Sequence, residues 1–218
     1  MQLAERRLHA RLSLDLPCRL GGTTEARVRE LSLGGALVVA PSEALRMGAE
    51  CSLAIEVPGW PGPFSLRGRV VRRDVRGGET GATFGLRLDA GDDPGFRENL
   101  AAVLDLLTQT PGPGTRRHAR LIWSAEVTCK SVREFSALLS NVSRGGLALT
   151  TTRRITIGET IAVEIRVRDQ PPMTFPTKVV HVSEQEKSTW KVGVQFEPLD
   201  SATQARLDEF LRRTIRGR

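Results

Sequence analysis

The sequence predicts a mainly β protein, made of two tandem small antiparallel β-barrels that are each closed by a C-terminal α-helix. Three observations lead there. Apolar and polar residues alternate in short runs, as in Ser52-Leu53-Ala54-Ile55-Glu56-Val57 and Ile161-Ala162-Val163-Glu164-Ile165-Arg166-Val167; period two gives each run one buried face. Gly and Pro interrupt the runs, so the strands are short and must wrap. The whole order of landmarks also occurs twice: Arg7-Leu8-His9-Ala10-Arg11 returns as Arg116-Arg117-His118-Ala119-Arg120, Gly35 as Gly146, Gly48 as Gly158 and Gly85 as Gly193. The offset is about 110 residues, the length of a small domain rather than of a solenoid repeat.

In chain order, strands are predicted over 13–20, 26–31, 36–40, 50–57, 64–74 and 80–88, then over 122–130, 134–142, 147–151, 160–168, 173–183 and 189–197. Each set closes with a helix. Asp93-Pro94 opens the first, with Phe96, Leu100, Val103, Leu104 and Leu107 at helical spacing; Asp200 or Ser201 caps the second, with Leu207, Phe210 and Leu211 inward. The stretch Thr110-Pro111-Gly112-Pro113-Gly114-Thr115 continues neither helix nor strand and marks the seam. The expected domains are therefore 1–110 and 115–218.

Composition removes several function classes. The 218 residues suffice for two domains with their own cores. No apolar run is long enough to span a bilayer and the stretch from Met1 to Leu20 lacks a signal-peptide core, so a cytoplasmic protein is expected. Three cysteines without C-x-x-C spacing argue against a disulfide scaffold or a zinc site, and Cys18 and Cys129 read as buried small side chains. The net charge of +7 is carried almost entirely by arginine, but there is no arginine block, no tyrosine, and no interleaving of aromatic with basic residues. A surface that stacks nucleic-acid bases would want exposed aromatics, so nucleic acid is not expected as a partner. No nucleophile motif, metal-ligand cluster or phosphate-loop fingerprint is present, which predicts a protein that is not an enzyme and has neither cofactor nor metal.

Two motifs remain. The first is R-x-x-x-R, at Arg7 and Arg11 and again at Arg116 and Arg120. Guanidinium is always charged, forks onto phosphate oxygens and offers a flat face to a purine. Alone, such a pair reads equally as a solvated basic turn. The second is x-x-S-x-G-G, at Glu30-Leu31-Ser32-Leu33-Gly34-Gly35 and at Asn141-Val142-Ser143-Arg144-Gly145-Gly146. Strand alternation puts Asn141 and Ser143 on one side, and the glycines permit a positive-φ turn with close backbone approach to a ligand. Alone, it reads as an ordinary β-turn. Both motifs, in fixed order, twice in one chain, argue for paired sites that take a phosphorylated ligand.

R-x-x-x-R followed by (D/N)-x-S-x-x-G, with Gly193-Val194-Gln195-Phe196 before a last helix, resembles the PilZ domain, a family of bacterial receptors for cyclic di-GMP. The resemblance covers nearly the whole chain as two copies. It implies a cyclic di-GMP-binding effector that passes ligand binding to a protein partner or to a domain rearrangement. In the second copy Arg116 and Arg120 would hold phosphates and stack on guanine, with Arg117 beside them; Asn141 would read a guanine edge, Ser143 would bond the ligand, and Gly145 and Gly146 would leave room for it. In the first copy Arg7, Arg11, Ser32 and Gly35 match, but Glu30 stands where the pattern has Asp or Asn. Its extra methylene makes the acceptors overshoot a base, leaving that site weakened, altered in preference or kept for structure. Arg6, directly before the first pair, implies a stacked ligand dimer there. Relatives place Trp where this chain has Arg72 and His181, which reduces any stacking platform. Two other readings stay open: a degenerate PilZ interaction module that binds no nucleotide, and a receptor for another cyclic dinucleotide.

Overall fold

The computed structural model describes residues 10–75, 81–90, 93–110, 118–131, 134–166, 171–185 and 188–216. The chain divides into two compact units, one of residues 6–120 with 213–218 and one of residues 121–212 with 1–5, so the first residue of the second strand set and the last turn of the last helix fall to the first.

The first unit holds β1 (Arg11–Leu20), β2 (Thr24–Ser32), β3 (Gly35–Pro41), β4 (Glu50–Ile55), β5 (Phe64–Val75), β6 (Gly81–Asp89) and α1 (Phe96–Leu107). Every pairing is antiparallel, in the order β1-β2-β3-β6-β5-β4, and β4 returns to β1 through Cys18 and Ile55. The result is a closed six-strand barrel. Its interior is the alternate set that the sequence pattern picks out, including Leu12, Leu14, Val28, Val38, Leu53, Ile55, Leu66 and Phe84, each buried. A buried side chain of this size contributes roughly 1.5–3 kcal/mol, so a slip of one residue, which turns a whole strand inside out, is strongly opposed.

The second unit holds β7 (Arg120–Lys130), β8 (Glu134–Ser143), β9 (Gly146–Thr151), β10 (Thr160–Ile165), β11 (Met173–Glu184), β12 (Trp190–Phe196) and α2 (Ser201–Arg216). Its strands follow the same order, β7-β8-β9-β12-β11-β10, and β10 pairs with β7 through Val163 and Cys129. Burial pushes the Cys129 thiol up to about 12 and the Cys18 thiol up to about 11, as expected of inert core sulfur.

Several expected boundaries move. The first helix does not open at Asp93-Pro94 but at Phe96, with Gly95 as its N-cap. Asp93 is spent on a turn before it, accepting from Gly95 N through Oδ1 at 2.8 Å and from Phe96 N through its carbonyl. Strand β4 stops at Ile55 because Val57 to Trp60 is a turn containing Gly59 in the left-handed region, φ 80°. The Pro-Gly seam, 111–115, lies outside the described residues.

Helix α2 starts as expected, with Asp200 Oδ1 accepting from Thr203 N at 2.7 Å. That backbone hydrogen bond holds the Asp200 carboxyl below its ordinary 3.8. A depressed carboxylate stabilises the fold above its unfolded pKa and loses that effect as pH falls. Asp200→Ala is therefore expected to lower the melting temperature at neutral pH, and the gap from the parent should close as pH drops below about 3.8. An equal gap at pH 7 and at acid pH would show that the cap is not the cause.

Candidate ligand-binding site

The position of the motif side chains depends on a β-bulge. In β2, Val28 faces Val38 and Glu30 faces Leu37, so Arg29 is one residue too many against β3. Simple alternation from Ala26 and Val28 would turn position 30 into the barrel. The bulge shifts the phase, so Leu31 is buried and Glu30 is not. Strand β8 repeats this. Leu139 faces Leu149 and Asn141 faces Ala148, which leaves Ser140 extra, buries Val142 and brings Asn141 off the interior. Ser140 Oγ donates to the Ala148 carbonyl at 3.0 Å, satisfying an acceptor beside the irregularity. The signal was in the sequence: apolar spacing goes from two to three at Ala26-Val28-Leu31 and at Ala137-Leu139-Val142.

In the first unit β1 lies alongside, with Ser13 opposite Glu30. Arg11 Nη1 donates to Glu30 Oε2 at 2.9 Å. Arg29, the bulge residue, goes instead to Asp15 at 2.7 Å, and Arg27 Nε donates to the same Asp15 oxygen at 2.6 Å. The hydrogen bond from Arg27 holds the Asp15 carboxyl below its ordinary value. The turn after β2 is stapled by Ser32, whose Oγ donates to the Gly35 carbonyl and accepts from Gly35 N, both at 3.1 Å. Arg6 and Arg7 lie outside the described residues.

In the second unit Arg120 is the first residue of β7, and the next pairs are Leu121 with Val142 and Ile122 with Asn141. Arg116 and Arg117 lie outside the described residues. Asn141 Oδ1 is buried with no hydrogen-bond partner among the described residues. Ser143 repeats the staple: Oγ donates to the Gly146 carbonyl at 3.2 Å and accepts from Gly145 N at 3.3 Å. Arg144, at the hairpin tip, reaches Asp208 of α2 at 3.1 Å, a contact with no counterpart at Leu33 in the first copy.

The expected positive φ is found at Gly146 alone of the motif glycines. Gly35 and Gly145 have no positive φ, whereas Gly146 has φ 158°, a backbone that L side chains rarely adopt. What they permit is close approach of the neighbouring strand. A Cβ on Gly146 would sit 2.0 Å from the Val194 carbonyl oxygen of β12, and one on Gly35 would sit 2.7 Å from that of Leu86 on β6. Both glycines thus have a packing duty independent of any ligand. Gly85 and Gly193 have another, facing Arg72 and His181 beside further bulges at Val71 and Val180. A charged cleft escaped the sequence reading. Arg87, the β6 partner of Gly35, also lines a cleft of about 590 Å³ with Arg67, Arg69, Glu50 and Asp89. The alternation of arginine along Arg67-Gly68-Arg69 was the available signal.

The PilZ domain family model matches the chain twice, over residues 5–105 and 115–213. The chain belongs to the PilZ family. Among solved structures, the PilZ chain is similar to the Bacillus subtilis inhibitor of motility MotI/DgrA, at 13% identity over 93% of this chain and 96% of that one, with a TM-score of 0.41. It is also similar to Borreliella burgdorferi PlzA in complex with c-di-GMP, at 14% identity over 91% and 88% with a TM-score of 0.33. A third is Escherichia coli YcgR in complex with c-di-GMP, at 14% over 90% and 82% with a TM-score of 0.37. No curated protein matches the chain. Among the described residues, no group of three or more His, Cys, Asp or Glu side chains is placed to hold a metal, and no helix is long and apolar enough to cross a membrane.

Proposed function

We propose that this PilZ protein is a receptor for cyclic di-GMP that binds it at the second copy's motif and passes binding on to a protein partner or a domain rearrangement. Residues 1–110 and 115–218 then form two tandem barrel domains, each with its own helix, in an effector that is cytoplasmic and not an enzyme. The observation that carries the reading is Asn141 Oδ1, a buried acceptor with no partner among the described residues. Leaving such a group unsatisfied costs roughly 1–3 kcal/mol, a cost that a guanine N–H donor relieves. Arg116, Arg117 and Arg120 supply the phosphate charge, and Ser143, Gly145 and Gly146 form the turn that presents Asn141. The first copy, with Arg6, Arg7, Arg11, Glu30, Ser32 and Gly35, is the weaker site.

Calorimetric titration of the full chain with cyclic di-GMP, then with other cyclic dinucleotides and with duplex DNA, tests this. Saturable binding of cyclic di-GMP, absent with DNA, is expected. No heat with any cyclic dinucleotide leaves the degenerate interaction module; tighter binding of a different one makes the protein a receptor for that ligand instead.

A further inference from the structure

We propose that Glu30 is a built-in competitor at the first copy's site: its carboxylate occupies Arg11, and a ligand phosphate must displace it, so the second copy fills first. This concerns regulation within the receptor reading and rests on it. Three observations carry it. The β2 bulge at Arg29 takes Glu30 out of the barrel and register sets it beside the start of β1, where Arg11 Nη1 meets Glu30 Oε2 at 2.9 Å. Arg29, the adjacent cation, is already engaged by Asp15, so Arg11 is the partner that Glu30 takes. The equivalent residue of the second copy, Asn141, is neutral, with its oxygen buried and unpartnered among the described residues.

The arrangement sets two obstacles in series. Arg11 and Glu30 side chains are 38% and 25% exposed, so the pair is solvent-accessible and opens reversibly. While it is closed, the apparent affinity falls by the fraction of time that Arg11 is free. When it opens, a carboxylate is left facing an arriving phosphate, which adds like-charge repulsion. The obstacle is therefore charge, not the extra methylene. Glu30→Gln keeps the length and removes the charge, so it separates the two causes.

The test uses the full chain carrying Arg120→Ala to disable the second copy, titrated with cyclic di-GMP with and without Glu30→Gln. Glu30→Gln is expected to tighten binding by roughly tenfold, and Arg11→Ala should abolish the gain. Unchanged or weaker binding by the Glu30→Gln chain overturns the competitor, provided that the unsubstituted chain binds cyclic di-GMP. An unsubstituted chain that binds no cyclic di-GMP fails the receptor reading itself, so the two failures are told apart by titrating the unsubstituted chain alongside.

Discussion

Gly146→Ala is expected to unfold the second unit more readily than any other Gly→Ala change in the described residues. Its Cβ would meet the Val194 carbonyl oxygen at 2.0 Å, and that neighbour is backbone, which cannot swing aside. Relief requires β9 and β12 to part where Leu147 pairs with Val194 and Gly146 with Gln195. Overpacking against a well-formed core costs roughly 1–3 kcal/mol, and this case belongs at or above the top of that range because a strand ladder must move. For a domain of this size, roughly 4–8 °C of melting temperature goes with each kcal/mol. Gly35→Ala, at 2.7 Å from the Leu86 oxygen, should cost less. Gly158→Ala meets nothing within 4 Å and should cost only the strain of φ 90°, about 1 kcal/mol. Chemical denaturation of the three variants checks the order. A Gly146→Ala chain as stable as Gly158→Ala would mean that the two strands do not lie this close.

The second large effect is on binding. Arg120→Ala, or Arg116→Ala, is expected to weaken cyclic di-GMP binding at the second copy by at least tenfold. Truncating one side of a charged contact costs about 2–5 kcal/mol, and each 1.4 kcal/mol is about tenfold in affinity. Lysine should restore little, since it neither forks onto a phosphate nor stacks on a base. Calorimetry on the full chain measures both variants, and unchanged affinity in both would remove the second copy from the receptor reading.

Much of this protein is legible in its sequence because period-two burial is a strong local signal. Leu53 and Ile55, or Val163 and Ile165, declare their strand and face without outside help. The interior face of each helix was legible for a similar reason, from Leu100, Leu104 and Leu107 and from Leu207 and Leu211. What was not legible depends on geometry between strands. The duty of Gly146 comes from a strand some fifty residues later, and no local pattern states how near that strand passes. The partner of Glu30 is likewise set by the β1–β2 register, so no local pattern names Arg11 as the group it meets. The helix start at Phe96 was missed because Asp93 satisfies a local turn more directly than it caps.

The bulges at Arg29 and Ser140 let an apolar spacing of three keep both flanking residues buried, whatever residue fills the extra place. Any side chain that tolerates the kink keeps the frame, at the cost of one hydrogen bond to Ala148 in the case of Ser140. Removing that single residue would shorten the spacing to two, at which simple alternation already buries Leu139 and Val142 and keeps position 141 off the interior. The position after the bulge thus carries Glu30 in one copy and Asn141 in the other, while the bulge itself is present in both. In a deletion scan through 138–142 read by melting temperature, loss of Ser140 should accordingly be the best tolerated, and a larger drop there than at Leu138 would show that the bulge itself holds the strand in place.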